Sequence, residues 1–323
     1  MGRNVLVTGG AGFIGSHVVD AYLAAGDTVT VVDDLSTGRR AHVPAAATLI
    51  EADVRSEPVR EAIARGGFEI VNHHAAQIDV RRSVADPVFD ASVNLLGLLN
   101  VLQGAQAGGV RRVVFASSGG TVYGEAAAPP LDETTPKFPA SPYGTAKLAA
   151  EYYLAAFARL YGREVVALRY SNVYGPRQDG HGEAGVVAIF ARQVLEGEPL
   201  TVFGDGEQTR DMVFAHDVAA ANLAASNASL PALSDLDACA FNIATGLETS
   251  VNQLVAAITR AGMTAEGGKG GKPTSQVRYA PARPGELRRN ALAVDKAALV
   301  LGWRPRTTLA DGLRLTIHAL AED

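Results

Sequence analysis

The first half of the chain alternates short runs of β-branched and apolar residues with longer stretches in which apolar residues recur at helical spacing. The short runs predict strands near residues 5–7, 28–32, 49–50, 70–71, 113–115 and 165–168. The longer stretches predict helices near residues 12–25, 88–107 and 142–161, with Gly26 ending the first. This alternation is typical of a parallel sheet covered by helices on both faces. We therefore expect an α/β fold with a doubly wound parallel sheet.

The alternation becomes less regular after residue 175. Residues 176–185 are polar and rich in glycine, which predicts a loop, and we expect a short helix at 186–195 and a strand at 200–203 to follow it. Residues 230–237 and 264–275 have the composition of surface loops, and the second is of low complexity. The second half therefore predicts a smaller lobe with longer connections.

The length of 323 residues exceeds that of one compact domain, and the 47% of hydrophobic residues is enough for a sizeable core. We predict a first domain at residues 1–175, with returning segments near 212–245. A C-terminal α/β lobe is predicted mainly at residues 176–323.

Charge and cysteine content exclude several function classes. The 29 Lys and Arg residues against 34 Asp and Glu residues give a net charge of −5, which argues against nucleic acid as the main partner. Cys239 is the single cysteine, so no internal disulfide can form, and a cytoplasmic setting is the simplest interpretation. No apolar run has the length of a membrane span, and the apolar segment at the N-terminus is too short for a signal-peptide core. We expect neither a membrane nor nucleic acid among its partners.

Three glycines, Gly9, Gly12 and Gly15, follow the first predicted strand. The first permits a tight turn, the second lets the backbone approach a pyrophosphate, and the third allows the helix to pack closely on the strand. The helix begins near Phe13 and Ile14, where free N–H groups and the positive end of the helix dipole favour phosphates. A glycine triplet alone is a weak signal, but its position between strand and helix predicts a Rossmann-type dinucleotide site.

Asp33 ends the second strand, at the distance expected for an acid that binds the adenosine ribose. A carboxylate there accepts hydrogen bonds from the ribose hydroxyls and repels a 2′-phosphate, so we predict NAD rather than NADP. Asp53 with Val54, and Ala75 with Ala76, end the third and fourth strands, where such sheets bind their ligands. Core packing is the alternative interpretation of the two alanines.

Tyr143 and Lys147 are four residues apart and share one face of a predicted helix. A phenol ionises near pH ~10, and a neighbouring cation lowers that pKa, so such a tyrosine can remove a proton from a sugar hydroxyl at neutral pH. The spacing also recurs by chance, as an aromatic ring packed under a lysine stem. The fifth strand ends in three hydroxyl candidates that can share the proton: Ser117, Ser118 and Thr121.

Taken together, these residues resemble the extended short-chain dehydrogenase/reductase superfamily and, within it, the UDP-glucose 4-epimerase family. The resemblance covers nearly the whole chain. It rests on residues 8–15, Asp33, Asp53 with Val54, Ser117 with Ser118, Tyr123 with Gly124, Tyr143 with Lys147, and residues 169–177, 203–206, 209–211 and 283–286.

The resemblance implies roles for further residues. On the cofactor side it implies that Asp33 holds the adenosine ribose, that Asp53 and Val54 contact the adenine, that Asn94 orders the active site, and that Tyr170 lies at the cofactor. On the substrate side it implies that Asn172, Arg210 and Arg283 bind the diphosphate of a UDP-sugar, and that Val187, Thr201 and Phe203 form the uracil pocket. It also implies a homodimer, for which the apolar residues 93–102 and the helix of Tyr143 offer a two-helix patch.

Two departures at the end of the fifth strand bear on the reaction. The family position of the catalytic hydroxyl corresponds to Gly119, so we assign that role to Ser118, with Ser117 as the alternative. Related dehydratases and decarboxylases carry acidic residues where this chain has Gly120 and Thr121, which disfavours elimination. The resemblance therefore implies 4-epimerisation, in which C4 is transiently oxidised and hydride returns to the other face of a 4-keto sugar.

The preferred sugar stays open. UDP-glucose and UDP-galactose are the first expectation. Asn290, smaller than the bulky residue usual at the sugar, would admit an N-acetyl group, and Arg192 would pair with the carboxylate of UDP-glucuronate unless it is a solvated helix residue. An NDP-sugar dehydrogenase or reductase and a non-catalytic NAD-binding protein are more distant alternatives. His73, His74 and His181 lack the spaced acidic partners of a metal site, and we expect no metal.

Overall fold

The computed structural model describes residues 2–125, 128–179, 185–263, 276–282 and 287–322. Its strands are β1 Asn4–Thr8, β2 Thr28–Asp33, β3 Thr48–Glu51, β4 Ile70–His73, β5 Arg112–Ser118, β6 Glu164–Tyr170, β7 Asn172–Tyr174, β8 Leu200–Phe203, β9 Thr209–Arg210, β10 Met212–Phe214, β11 Ala240–Ile243, β12 Thr249–Ser250 and β13 Val277–Ala280. Its α-helices are α1 Phe13–Ala24, α2 Glu57–Arg65, α3 Val80–Ala85, α4 Pro87–Ala91, α5 Gly97–Ala107, α6 Pro142–Tyr161, α7 Val186–Glu196, α8 Ala215–Asn227, α9 Val251–Met263 and α10 Leu309–Glu322. The predicted loop at 264–275 lies outside the described residues.

Seven parallel strands form the main sheet in the order β11-β6-β5-β4-β1-β2-β3. The order reverses between β1 and β4, which is where doubly wound sheets leave a crevice at the carboxyl ends of their strands. The α/β, doubly wound fold expected from the apolar runs is thus confirmed. Strand β11, from the second half of the chain, extends this sheet. The division into two domains stays a prediction.

Apolar residues cover both faces of this sheet. One cluster joins the sheet to α1 and α8, and a second joins it to α2, α5 and α6. The strands that lie between the two clusters are buried on both faces, which explains their nearly continuous apolar sequence. A third cluster lies in the C-terminal lobe, where α7, α9 and α10 pack together beside β8.

The helix predicted at 88–107 is continuous from α4 to α5 through a π-helical turn at Ser92–Leu96. Residues Pro87–Ala107 are also the one described stretch long and apolar enough to span a membrane, with a mean hydropathy of 1.2. About half of it, 44%, is buried inside the fold, where it packs against α2 and α6. Such burial is that of a core helix.

Helix α6 has strong signals at both ends. The Ser141 hydroxyl accepts a hydrogen bond from the Gly144 N–H at 3.1 Å, and Pro142 occupies the first turn, where its missing N–H costs nothing. At the other end Gly162 has a φ of +64°, and its N–H donates to the Ala158 carbonyl at 2.9 Å. These caps fix the start of α6, from which Tyr143 and Lys147 project.

Candidate active site

The carboxyl ends of the central strands bring the candidate residues to one edge of the sheet. Thr8 of β1 pairs with Val32 of β2 and with His73 of β4, and Ser118 of β5 pairs with Tyr170 of β6. Because all these strands are parallel, each candidate that ends a strand lies beside the next. The crevice between β1 and β4 lies along the same edge.

The turn after β1 leaves no room for a side chain at Gly9 or Gly15. A Cβ at Gly15 would lie 2.1 Å from the Gly9 carbonyl oxygen, and Gly9 itself has a φ of +69°. Gly12 is the N-cap of α1 and gives the helix no side-chain cap, so the N–H groups of Phe13 and Ile14 face an open helix start without acidic residues. The turn therefore combines a close backbone approach with an uncapped helix N-terminus, which suits a pyrophosphate.

Asp33 lies at the end of β2 with 7% of its surface exposed. Its carboxylate accepts hydrogen bonds from the Ala11 and Leu35 N–H groups, both at 2.9 Å. Burial raises the pKa of this carboxyl, and the two N–H donors act against that rise. Because the carboxylate is tied to the glycine turn at Ala11, it is fixed where a dinucleotide on that turn would place a ribose.

Asp53 and Val54 follow β3. Asp53 forms an ion pair with Arg55 at 2.5 Å, and this guanidinium holds the pKa of the carboxyl below its usual value. Val54 is buried, and its carbonyl accepts from the Asn100 side chain at 2.8 Å. The segment is therefore attached to α5 next to the end of β2.

The loop after β4 is held at two places. The Ala75 N–H donates to the Thr8 hydroxyl at 3.2 Å, and Ala75 and Ala76 are half-buried. Further on, the Asn94 amide group exchanges two hydrogen bonds with the backbone of Gln77, at 3.1 and 3.0 Å. Asn94 thus orders the loop between β4 and α3, in line with the role that the resemblance implies for it.

Tyr143 and Ser118 face each other across the sheet edge, and their hydroxyls form a hydrogen bond. Burial raises the pKa of Tyr143 to about 12; the hydrogen bond with Ser118 lowers it and the charge of Asp90 raises it further. The Tyr143 N–H donates to the Ser83 hydroxyl of α3 at 3.2 Å, which fixes the first turn of α6. A phenol in this position needs an added positive charge before it can ionise near neutral pH.

Lys147 lies one turn further along α6 and is 4% exposed. Its ammonium donates to the Ala116 carbonyl at 2.9 Å and lies 5.7 Å from the centre of the Tyr143 ring. Burial lowers the pKa of Lys147 to about 8, while the carboxylates of Asp90 and Glu151 raise it. The ammonium retains N–H groups that can hold a ligand hydroxyl.

Ser117 contacts a different set of residues. Its hydroxyl donates to Glu151 at 2.5 Å, and Glu151 in turn binds the fully buried guanidinium of Arg169 at 2.7 Å. Arg169 also contacts Asp237 at 2.9 Å, the Tyr123 hydroxyl at 3.1 Å and the Glu133 carbonyl at 3.3 Å. The Ser117 side chain therefore belongs to a buried charge network behind the sheet edge, while that of Ser118 reaches Tyr143.

No role was predicted from the sequence for Glu151, Asp90 or Asp211, although all three hold candidate residues in place. Glu151 follows Lys147 by four residues, so the spacing that joins Tyr143 to Lys147 extends to it. Asp90 precedes Asn94 by the same interval. Helical spacing therefore offered a signal for these two residues.

Tyr170 and the two histidines after β4 are buried polar groups with partners inside the fold. The Tyr170 hydroxyl is 3.1 Å from His74 Nε2 and accepts from the Asn222 amide at 2.8 Å. His73 Nδ1 is 2.7 Å from the Thr8 hydroxyl. Burial, with the Lys147 charge, lowers the pKa of each histidine to about 3, so both are neutral. Within the described ranges no group of three His, Cys, Asp or Glu residues could hold a metal; His181 lies outside those ranges.

A second group of candidates lies on the short strands outside the main sheet, β7 and β9. Asn172 begins β7 and is exposed, and its N–H donates to the Asp211 carbonyl at 3.0 Å, directly after Arg210. Arg210 is half-buried and donates to the Thr209 and Leu287 carbonyls, both at 2.8 Å. The structure thus brings Asn172 and Arg210 together. Arg283 lies outside the described residues.

Asp211 connects this lobe to the main sheet. Its carboxylate is fully buried and accepts from the Thr245 hydroxyl at 2.7 Å and from the Gly246 N–H at 2.9 Å. It also accepts from the Leu292 N–H at 3.3 Å. The segments that carry Arg210 and Asn290 are therefore both attached to the loop after β11.

Strand β8 presents alternate residues to opposite sides. Leu200 and Val202 are fully buried in the lobe, while Thr201 and Phe203 are half-buried on the other face, as a pocket wall requires. Val187 is 2% exposed and belongs to the core of the lobe.

Arg192 and Asn290 are the two residues on which the choice of sugar was expected to depend. Arg192, on α7, forms an ion pair with Glu196 on the same helix at 2.8 Å and has a 40% exposed side chain. Asn290 is 2% exposed, and its side-chain oxygen has no hydrogen-bond partner among the described residues.

Comparison with known proteins identifies a family and several relatives that are similar to this chain. Residues 5–242 match the NAD dependent epimerase/dehydratase family. The UDP-glucose 4-epimerase of Mycolicibacterium smegmatis is 44% identical over 318 residues, which cover 97% of this chain and 97% of that protein.

Two solved structures share the fold at the same level of identity. The UDP-glucose 4-epimerase of Thermotoga maritima, crystallised with UDP-glucose, has a TM-score of 0.90 and 43% identity, with 99% of each chain covered. The UDP-glucose 4-epimerase of Thermus thermophilus, in complex with NAD, has a TM-score of 0.86 and 43% identity, with 98% of this chain and 99% of that chain covered. These likenesses confirm the resemblance drawn from the motifs. The chain belongs to the NAD-dependent epimerase/dehydratase family.

Proposed function

We propose that this protein is an NAD-dependent UDP-sugar 4-epimerase that interconverts UDP-glucose and UDP-galactose through a transient 4-keto sugar. The observation that carries the proposal is the Tyr143 phenol, hydrogen-bonded to Ser118 and beside the buried Lys147 ammonium. These residues lie at the same edge of the sheet as the glycine turn, which would bind a dinucleotide. The relatives described above, named UDP-glucose 4-epimerases, support the choice of sugar.

The residues present fit NAD. The uncapped start of α1 offers N–H groups to the pyrophosphate, and a Cβ at Gly15 would push into the turn that must stay tight. Asp33 offers a carboxylate to the adenosine ribose and disfavours a 2′-phosphate. Asp53 and Val54 would border the adenine, and Ala75, Ala76 and Tyr170 the nicotinamide half. NAD⁺ supplies the hydride acceptor for oxidation at C4 and the donor for the return step.

The catalytic residues handle the proton. Tyr143 removes the proton of the sugar 4-hydroxyl, and the Ser118 hydroxyl donates to the oxygen on which charge develops. Lys147 provides the positive charge that favours the phenolate, and its remaining N–H groups hold a ribose hydroxyl. Returning the proton from Tyr143 to the same oxygen completes the cycle, so the enzyme is unchanged and no net oxidation occurs.

The C-terminal lobe would hold the nucleotide in place while the sugar alone rotates. Arg210, Asn172 and Arg283 bind the diphosphate, since guanidinium groups match its oxygens in a bidentate geometry. Thr201 and Phe203 face the uracil, with Val187 packed behind them. Holding the UDP while the 4-keto sugar rotates lets hydride return to the opposite face.

Turnover of a panel of three sugars tests this function. Purified protein is incubated without added NAD⁺ with UDP-glucose, UDP-N-acetylglucosamine or UDP-glucuronate, and the products are followed by NMR. The proposal expects UDP-galactose to form from UDP-glucose. A preference for the N-acetyl sugar would shift the substrate to the hexosamines through Asn290, and a preference for the glucuronate would assign Arg192 to its carboxylate. Accumulation of NADH with an oxidised sugar would instead identify a dehydrogenase.

The same proposal includes a homodimer in the cytoplasm. Helices α5 and α6 pack side by side, and the α4–α5 stretch and α6 leave large apolar side chains exposed, namely Val88, Leu96, Tyr152, Tyr153, Leu160 and Tyr161. A two-helix surface of this kind is suited to pairing with its own copy. The lone Cys239 is buried and unpaired, which fits a reducing compartment.

A further inference from the structure

A buried carboxylate, Asp90, lies beside α6 on the neighbouring helix α4 and is 1% exposed. Its oxygen Oδ1 accepts from the Gln77 side chain at 2.8 Å and from the Asn94 side chain at 3.0 Å. Its second oxygen, Oδ2, is buried and has no hydrogen-bond partner among the described residues. Burial of a carboxylate oxygen without a hydrogen-bond partner is unfavourable in free energy, which suggests that Asp90 has a role in the site.

One role of Asp90 concerns the loop after β4. Gln77 is the centre of this loop: its side chain accepts from the Asp79 N–H at 2.5 Å and donates to the Asp79 carbonyl at 2.9 Å. Asn94 binds the Gln77 backbone on both sides. One oxygen of Asp90 therefore joins the two amides that fix the loop in which Ala75 and Ala76 border the proposed nicotinamide site.

The other role concerns the negative charge of Asp90. Asp90 raises the pKa of both Tyr143 and Lys147, and it is the carboxylate that both residues have in common. Glu151, the other acid near Lys147, is already bound to the Arg169 guanidinium at 2.7 Å. Asp90 forms no ion pair with any described residue within 4 Å. Burial raises the pKa of Asp90, and the hydrogen bonds from Gln77 and Asn94, with the Lys147 charge, act against that rise. No ion pair within the described residues neutralises its charge.

The other charged groups around α4 are exposed or turned to solvent. Arg81 and Arg82 of α3 are exposed, and the Arg82 guanidinium lies 3.9 Å from the centre of the Phe89 ring. Asp79 and Asp86 cap the starts of α3 and α4. On the far side Arg55 is occupied by Asp53. Water screens these groups far more than it screens Asp90.

We propose that Asp90 is a positioning residue of the active site, which clamps the loop after β4 through Gln77 and Asn94 and places an unpaired negative charge behind Tyr143 and Lys147. The charge keeps Lys147 protonated in a site where burial favours its neutral form. The proposal rests on the proposed function for its kinetic part, while the clamp can be measured without turnover.

Two substitutions separate the charge from the clamp. Asp90→Asn keeps the shape and an oxygen that Gln77 and Asn94 can donate to, but it removes the charge. Asp90→Ala removes both. Asp86→Asn is the matched control, because it removes a charge four residues away at the start of the same helix and asparagine caps a helix as well as aspartate does.

The pH dependence of UDP-glucose epimerisation by the NAD⁺-loaded protein tests the charge. Loss of the negative charge lowers the pKa of Tyr143 and of Lys147, so both limbs of the profile move to lower pH in Asp90→Asn. We expect the rate of this variant relative to the unchanged protein to be at least ~3-fold higher at pH 6 than at pH 9. A profile that superimposes on that of the unchanged protein, or an equal shift in Asp86→Asn, overturns the proposal.

Hydrogen–deuterium exchange of residues 74–79 in the NAD⁺-loaded protein tests the clamp. Loss of both contacts in Asp90→Ala should speed exchange of this segment about 10-fold, with Asp90→Asn close to the unchanged protein. Equal exchange in all three proteins contradicts the clamp. If the unchanged protein epimerises no UDP-sugar, the proposed function fails, and this comparison still decides the role of Asp90. If Asp90→Ala does not fold, the Asp90→Asn profile decides.

Discussion

The surroundings of Tyr143 determine whether its phenol can act as a base. Burial, with the Asp90 charge, raises its pKa to about 12, so that the phenol is protonated and inactive as a base at neutral pH. In the proposed mechanism, catalysis depends on the positive charge that Lys147 and a bound NAD⁺ would bring close to the phenol. Turnover should therefore be sensitive to loss of the Tyr143 hydroxyl and insensitive to loss of the hydroxyl of other tyrosines on α6.

Removal of the Tyr143 hydroxyl tests this dependence. Tyr143→Phe should lower kcat for UDP-glucose by ~10³-fold, within the range for loss of a general base, while the ring still packs and NAD⁺ still binds. Tyr152→Phe is the control, because Tyr152 is on the same helix and 61% exposed. Rates are measured by NMR and cofactor binding by calorimetry; a Tyr143→Phe enzyme as fast as the control would exclude Tyr143 as the base.

The two serines at the end of β5 should behave differently. Ser118→Ala removes the hydroxyl bonded to Tyr143 and should lower kcat by ~10²-fold with little change in stability. Ser117→Ala removes the bond to Glu151 and should cost ~1–3 kcal/mol of unfolding free energy. Urea unfolding and turnover of both variants decide between them, and the opposite pattern would give the catalytic role to Ser117.

The elements divide into those that local patterns predict and those that they do not. The buried strands of the main sheet and the helices α1, α6 and α7 follow from apolar runs, helical spacing and the residues at their ends. Strands β9 and β12 have two residues each and pair only because the chain returns to them from far away. The contacts of Arg169 with Glu151, 18 residues away, and with Asp237, 68 residues away, likewise depend on the fold. The residues proposed to touch ligands could be named from the sequence, whereas Glu151, Asp90 and Asp237, which hold them, could not.

The buried pair Glu151–Arg169 should be important for stability. Glu151→Gln leaves the fully buried guanidinium with less compensation and should lower the unfolding free energy by ~3 kcal/mol. Glu61→Gln removes a partner of an exposed pair, Arg65, and should change it by less than ~1 kcal/mol. Both values come from urea unfolding; equal losses in the two variants would show that the network contributes no more than a surface pair.

At the scale of the whole molecule, the two parts of the chain divide the work. The main sheet carries the proposed catalytic residues and the proposed dinucleotide turn, and the short strands β7 and β9 carry Asn172 and Arg210, joined to the sheet through Asp211. The change of pattern after residue 175 predicts a division into two domains, which stays a prediction. No pattern predicted the buried contacts of Asp211, because they join segments that are far apart in the sequence.

The apolar surface on the α4–α5 stretch and α6 leads to a prediction about assembly. The protein should have the mass of a dimer at micromolar concentration, and Leu160→Glu, a charge placed on a side chain that is 73% exposed, should shift it toward the monomer because an unpaired charge buried at an interface is costly. Leu247→Glu places the same charge on a side chain that is 68% exposed and lies outside α4, α5 and α6, and it serves as the control. Sedimentation measures all three; a monomeric unchanged protein would contradict the dimer.

The fate of the hydrogen at C4 tests the central claim most directly. UDP-glucose carrying deuterium at C4 is incubated with the purified protein without added NAD⁺, and UDP-galactose is isolated and examined by NMR. We predict UDP-galactose that keeps its deuterium at C4, with no accumulation of NADH and no conversion by Tyr143→Phe. Deuterium lost to water, or a sugar left oxidised with NADH formed, would contradict transient oxidation and return of the same hydride.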